Sequence, residues 1–288
     1  MSVRIGTSEV GDGQPCLVVA EIGQNHNGSV ETALEMVSAA KAAGADLVKF
    51  QKREVELSVP RNLWNQTRET PWGVMSYLDY RRRLELGRAD FDEIDAYCRT
   101  LDIPWFASAW DPPSLSFLLS YDIPCLKIAS ASVTALDVVV GCAGSGRPTI
   151  MSTGMSTVEQ IDRAQGLFGA GTLILLHCRS TYPCKPDDLN LSAISTLQRR
   201  YGRPTGFSDH CVGLWMSLCA VAMGACVIER HFTLNRSWFG TDQSASVEPQ
   251  GLTKLVQQIR RFEQARGDGR LGPSPAEDAV RQRLRRIP

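Results

Sequence analysis

Eight short apolar runs, each followed by a stretch with helical spacing, constrain this 288-residue chain more than any other feature. The runs span 17–22, 46–51, 104–109, 124–129, 148–152, 172–177, 204–208 and 226–231. They are too short for helices and apolar on both faces, the pattern of parallel strands covered on both sides. Helix candidates lie between them at 30–43, 90–101, 112–121, 134–143, 157–168, 190–200, 213–224 and 250–265. Strict alternation of strand and helix predicts an α/β fold, a single-domain (β/α)8 TIM barrel over about 15–267 with a tail at 268–288. An open doubly wound sheet is the alternative, but no Gly-x-Gly-x-x-Gly follows the first run.

Turn chemistry marks the boundaries. Ser29, after Asn27-Gly28, is placed to cap the first helix, and Gly44 lies beyond its end. Asp111-Pro112-Pro113 and the stretch 152–156 read as further helix starts. Segment 52–89 is a long insertion after the second strand and holds Trp64, Trp72, Tyr77 and Tyr80. A loop that long is a lid, a binding loop or a packed surface excursion.

Lys+Arg and Asp+Glu both number 31, so the formal charge is zero and nothing argues for nucleic acid or a membrane surface. Arg81-Arg82-Arg83 and the C-terminal Arg281, Arg283, Arg285 and Arg286 read as solvated helix faces. No apolar run approaches the roughly 18 residues of a membrane span, and the N-terminus lacks a signal-peptide core. The nine cysteines are odd in number, scattered and without a Cys-x-x-Cys pair, which fits small core residues in a reducing cytoplasm.

In barrel enzymes the site is built at the C-terminal ends of the strands. Here those ends carry Glu21; Lys49 and Gln51; Ser108; Lys127 and Ser130; Ser152-Thr153-Gly154; His177, then Ser180 and Tyr182; Ser208-Asp209-His210; and Glu229-Arg230-His231, followed by Asp242 and Gln243. A core packed for stability alone would not put ionisable groups at nearly every strand end. His210 and His231, on adjacent strands, can share one ion, and two imidazoles plus water suit Mn2+, Fe2+ or Zn2+. His26 and His177 read as hydrogen-bonded site walls. Lys49 and Lys127 beside hydroxyls make a phosphate or carboxylate cradle, with a Schiff-base lysine as the alternative.

At these positions the sequence resembles the sialic acid synthase family, the N-acetylneuraminate and related nonulosonate synthases, over about residues 15–275. The resemblance rests on Ala20-Glu21-Ile22-Gly23-x-Asn25-His26-Asn27-Gly28, Val48-Lys49-Phe50-Gln51, Lys127-Ile128-Ala129-Ser130, Ser152-Thr153-Gly154-Met155, Leu176-His177-Cys178 with Tyr182-Pro183, Ser208-Asp209-His210 and Glu229-Arg230-His231-Phe232-Thr233. It implies a metal-dependent transferase that condenses phosphoenolpyruvate with an aldehyde sugar, an aldose or N-acetylhexosamine such as N-acetylmannosamine, giving a 2-keto-3-deoxy acid and phosphate. It implies His210 and His231 as ligands to Mn2+, with Mg2+ or Co2+ as alternatives. It implies Lys49, Lys127, Ser130, Ser152 and Ser208 on phosphoenolpyruvate, and Glu21, Gln51, Tyr182 and Asp242 near the sugar. Self-association of two barrels into a homodimer is expected.

The chain departs from the family pattern in three places. Ser132 stands where an acid is usual, so one acid/base candidate is missing. Ser180 stands where asparagine is frequent. The small C-terminal antifreeze-like domain is expected to be absent, leaving a barrel-only branch. On that expectation segment 58–86 folds over the barrel mouth, and Tyr77, Tyr80 or an arginine there contacts the sugar. A Schiff-base aldolase using Lys127 and a noncatalytic sugar-binding barrel are the competing functions; a metal-dependent hydrolase would want a different ligand pattern at strands 1 and 8.

Overall fold

The computed structural model describes residues 1–170 and 172–287. Eight strands, β1 (Leu17–Gly23), β2 (Leu47–Lys52), β3 (Trp105–Ala109), β4 (Leu126–Ile128), β5 (Thr149–Ser152), β6 (Leu173–Cys178), β7 (Thr205–Asp209) and β8 (Val227–His231), close into one barrel in sequence order. All neighbours are parallel, β8 pairing back onto β1 with His231 opposite Glu21. Closure leaves no barrel edge to protect. Every residue of β1, β3, β7 and β8 is buried, as a sheet covered on both faces requires.

The outer ring is α1 (Val30–Ala42), α2 (Arg88–Thr100), α3 (Pro112–Leu119), α4 (Leu136–Gly144), α5 (Val158–Gln165), α6 (Ala193–Tyr201), α7 (Trp215–Ala222) and α8 (Pro249–Arg266). Ser29 caps α1, its Oγ accepting from Thr32 N at 3.0 Å. The start expected within 152–156 falls slightly later, where Thr157 and Gln160 form a reciprocal capping box on α5. Below the strand ends the barrel interior is tightly filled. A Cβ on Gly206 would lie 2.4 Å from the Val227 carbonyl oxygen and 2.7 Å from Leu176 Cδ2, so only glycine fits that level of β7.

Two features escaped the sequence pattern. A hairpin of Ser2–Ile5 and Ser8–Gly11 buries Val3, Ile5 and Val10 in the main core. Its turn residue Gly6 faces Pro124, just ahead of β4, so the hairpin lies at the N-terminal end of the barrel. The insertion after β2 has structure of its own: short helices Val55–Ser58 and Tyr77–Leu84, and a hairpin of Thr67–Thr70 with Gly73–Ser76.

The insertion is fixed to the C-terminal end of the barrel. Gly28, in the loop after β1, has φ +79, and a Cβ there would come within 2.0 Å of the Arg83 carbonyl oxygen. Asp111 ties the other side: Oδ1 caps α3 through Ser114 N at 2.8 Å, and Oδ2 accepts from Glu54 N at 2.7 Å. Asp111→Ala is therefore expected to cost about 1–2 kcal/mol, a lost cap plus a stranded N–H. Asp111→Asn should retain much of that. Urea unfolding midpoints measure both, and an unchanged midpoint for the alanine variant would remove Asp111 from this role.

Beyond α8 the chain runs exposed through a short helix, Asp278–Leu284. No helix among the described residues is long and apolar enough to cross a membrane.

Candidate active site

All eight strand ends open into one cavity. Eleven of the twelve residues expected there line it: Glu21 from β1, Lys49 and Gln51 from β2, Lys127 from β4 and Ser130 beyond it, Ser152 from β5, Ser180 and Tyr182 after β6, Ser208 from β7 and His210 just beyond it, and His231 from β8. Strand alternation explains the pairs, since residues two apart share the inward face. The twelfth, Asp242, is not part of the lining; its Oδ2 lies 3.8 Å from His231 Nδ1.

One side of the cavity is cationic and rich in hydroxyls. Lys127 is fully buried and Nζ donates to Ser152 Oγ at 2.6 Å and to the Ile128 carbonyl at 3.0 Å. A Cβ on Gly154 would meet Ser180 Oγ at 2.5 Å, Ser130 Oγ at 2.8 Å and Cys178 Sγ at 3.1 Å. Two hydroxyls, from the loops after β4 and β6, and the Cys178 thiol thus close on bare backbone, where any side chain would displace them. Burial lowers the Lys127 pKa, and Glu229 opposes that shift.

The opposite side is a buried ion cluster. Lys49 Nζ is 2.7 Å from Glu21 Oε2 and 3.8 Å from Glu229 Oε2. Gln51 Nε2 donates to Glu21 Oε1 at 3.0 Å, and Ser208 Oγ donates to Glu229 Oε1 at 3.1 Å. Burial would lower Lys49, but the two carboxylates outweigh it and hold the ammonium charged. Burial raises Glu21 despite Lys49, whereas Glu229, facing both lysines, is drawn below the usual carboxylate range against its own burial. The surroundings thus push the two carboxyl groups in opposite directions, Glu21 up and Glu229 down.

The two histidines lie side by side in the cavity wall. Their ring centroids are 5.5 Å apart, with Tyr182 packed on His210 at 4.0 Å. His210 Nδ1–H donates to the Arg179 carbonyl at 2.6 Å, which fixes the tautomer and leaves Nε2 as a lone-pair donor. Burial pushes His231 down to about 4, so it is neutral, and its Nδ1 is buried without a hydrogen-bond partner. Among the described residues no group of three or more His, Cys, Asp or Glu side chains could hold an ion. A cation on these two imidazoles would therefore keep several positions for water or substrate oxygen.

His26 and His177 do not line the cavity, contrary to their expected place as site walls. His177 stacks on Phe207 and its Nε2 meets the Leu189 carbonyl at 2.7 Å. His26 Nδ1 accepts from Gly28 N at 3.1 Å, and burial lowers its pKa from 6.5 to about 4. The unfolded chain binds a proton there that the native chain refuses, so stability falls as pH drops from 6.5 toward 4. By pH 5 the loss should reach about 2 kcal/mol for this residue. Urea unfolding near pH 7.5 and pH 5 tests it: His26→Gln should lose correspondingly less on acidification, and equal losses would contradict the assignment.

Among the wall residues given no role from sequence are Trp110, Met155, Cys178 and Glu229. Glu229 was legible in principle, two residues before His231 on one strand face. Cys178 departs from the expectation that cysteines are core filler; its Sγ is 3.9 Å from His210 Nδ1. Ser132, at the position where an acid is usual, is buried and outside the lining. The insertion also contributes no lining residue, and Tyr80 is 1% exposed, packed against Tyr77 and Phe239. Neither Tyr77 nor Tyr80 lines the cavity: Tyr77 packs on the insertion's own apolar cluster, and Tyr80 packs on Phe239 of the loop after β8.

The NeuB family model matches residues 36–271. The N,N'-diacetyllegionaminic acid synthase of Legionella pneumophila is 36% identical over 98% of this chain and 82% of its own length. The mouse N-acetylneuraminate-9-phosphate synthase is 35% identical over 96% and 78% respectively. The crystal structure of the N-acetylneuraminic acid synthetase from Leptospira borgpetersenii, in complex with citrate, superposes with a TM-score of 0.88 at 33% identity, covering 100% of this chain and 98% of that one.

Proposed function

Because this chain belongs to the NeuB family, we propose that it joins phosphoenolpyruvate to the open-chain aldehyde of an amino sugar, releasing phosphate and a nonulosonic acid. The observation that carries this is the cradle at Gly154, where Lys127 and the hydroxyls of Ser130, Ser152 and Ser180 converge beside two imidazoles. A lysine with clustered hydroxyls suits a phosphate group, and an ion-binding pair next to it suits a carbonyl.

In this reading Lys127 and the three serines bind the phosphate, while Lys49, held charged, faces the carboxylate of phosphoenolpyruvate. Ser208 positions Glu229, whose charge favours the protonated form of both lysines, offsetting part of the burial effect on Lys127. Gln51, Tyr182 and Asp242 orient the sugar. His210 and His231 would hold a divalent cation, Mn2+ first and Mg2+ or Co2+ as alternatives, which when bound supplies Lewis acidity toward the aldehyde oxygen. The enol C3 bonds to the aldehyde carbon, and the aldehyde oxygen takes the proton carried by Glu21. Water then adds at C2, returning a proton to Glu21; the new C2 hydroxyl becomes the ketone as the C2–O bond to phosphate breaks, and its proton leaves on the phosphate. A raised carboxyl pKa is what such a shuttle requires.

One observation favours a second reading. The lowered pKa of buried Lys127 would also suit a Schiff-base aldolase. Incubation with pyruvate and borohydride separates the two. The synthase leaves Lys127 unmodified and does not accept pyruvate in place of phosphoenolpyruvate; a reduced adduct on Lys127 establishes the aldolase.

A further inference from the structure

Asp209 and Arg230 stand between cavity residues at the ends of β7 and β8 and take no part in the reaction described above. Strand alternation turns Ser208 and Glu229 into the cavity, so Asp209 and Arg230 point the other way, toward the helices. They are register partners on adjacent strands, and each is only 1% exposed.

Their contacts converge on His210. Arg230 Nη1 donates to Asp209 Oδ2, and Ser217 Oγ, from the buried face of α7, donates to the same oxygen. The remaining groups go to backbone. Asp209 Oδ1 accepts from Cys211 N at 2.8 Å, and Arg230 Nη2 donates to the Cys211 carbonyl at 2.8 Å. His210 lies between the two anchored residues, and its own carbonyl accepts from Cys184 N at 3.0 Å. The side chain that holds the far side of His210 therefore belongs to the residue immediately before His231. One guanidinium joins the backbone carrying one imidazole to the backbone carrying the other.

Stability alone is a poor reason for this arrangement. The desolvation of two buried charges offsets most of their attraction, and a well-packed apolar pair often holds a core equally well. Arg230 Nε is also buried without a hydrogen-bond partner, a further cost that the ion pair leaves standing. What an apolar pair lacks is direction. Bonds at Asp209 Oδ1 and Arg230 Nη2 fix where Cys211 sits relative to β8. The two imidazoles have ring centroids 5.5 Å apart. A cation shared between them tolerates errors of only about 0.2 Å in each metal–nitrogen distance.

We propose that the Asp209–Arg230 pair, steadied by Ser217, is the positioning device of the two-imidazole site. It sets the spacing and orientation of His210 and His231, and through them the affinity for a divalent cation, while touching neither cation nor substrate. The proposal rests on the two-histidine reading.

The test is Mn2+ binding to the purified protein without substrates. Equilibrium dialysis gives the affinity, pulsed EPR registers the nitrogen couplings of coordinated imidazole, and urea unfolding gives the midpoint of each variant. The wild-type protein should show couplings from two imidazoles. Asp209→Leu combined with Arg230→Met removes the pair without leaving a lone buried charge, so the midpoint should stay near wild type. Its Mn2+ affinity should fall by about 10- to 100-fold, as when a metal ligand loses an outer partner, and its imidazole couplings should change. Arg230→Lys keeps a charge opposite Asp209 but loses the fork that also reaches the Cys211 carbonyl, and its affinity should fall between the two. A pair that serves stability alone would lower the midpoint and leave the affinity and couplings of the folded protein intact. Wild-type affinity in the double variant, or in Arg230→Lys if the double variant does not fold, overturns the positioning role and leaves the two-histidine site standing. A wild-type protein whose bound Mn2+ shows no imidazole coupling overturns the two-histidine reading and this inference together.

Discussion

Lys127→Met is expected to raise the KM for phosphoenolpyruvate by about 30- to 900-fold, ~2–4 kcal/mol, with a much smaller change for the acceptor. Methionine keeps the length of the side chain and removes its charge and donors. The estimate is that of truncating one partner of a buried, hydrogen-bonded charge contact. Lys127 is completely enclosed, so no solvent replaces it, and Ser152 Oγ loses its 2.6 Å donor at the same time. Glu229 loses one of the two cations that hold it ionised, which adds to the effect on the cradle rather than on the sugar side. Steady-state kinetics with each substrate varied in turn reads the split. An unchanged KM for phosphoenolpyruvate would remove Lys127 from the phosphate site.

His210→Ala and His231→Ala should each abolish tight Mn2+ binding and lower kcat by about 1000-fold, ~4 kcal/mol, if the cation supplies the several kcal/mol typical of Lewis-acid stabilisation. Neither side chain is part of the hydrophobic core, so circular dichroism and the unfolding midpoint should stay close to wild type. Equilibrium dialysis measures the ion directly. A variant that keeps full activity after exhaustive chelation would contradict the two-histidine site.

The barrel was legible because its physics is repetitive. Eight strands covered on both faces must be continuously apolar, and eight helices must return the chain, so the period announces the fold. The strand-end residues were legible for a related reason: Lys49, Lys127, Glu21 and His231 end otherwise apolar runs, where an ionisable group is expensive unless it faces a site. What the pattern could not give is contact across distant segments. The N-terminal hairpin is four residues on each side, too short for a periodic signal, although Val3 and Ile5 alternate correctly with a turn at Gly6. Arg81 lies in a run of three identical side chains, and nothing local says that only the first is enclosed. Trp110 stands next to the capping Asp111 and reads as loop; its place in the wall depends on Arg53, far away in sequence, stacking on it. His26 and His177 failed in the opposite sense. They sit at strand ends like the site residues, but their rings turn into the packing behind the wall, where burial keeps both neutral.

The most direct test of the central claim is aldehyde-dependent phosphate release. The purified protein is incubated with Mn2+, phosphoenolpyruvate and either an N-acetylhexosamine, its 6-phosphate, or the matching alditol, with phosphate assayed and products weighed by mass spectrometry. The account predicts phosphate release with an aldehyde-bearing acceptor and none with the alditol, together with equimolar formation of a 2-keto-3-deoxy acid carrying the three carbons of phosphoenolpyruvate. Phosphate release that ignores the aldehyde, or a product without those three carbons, would contradict it.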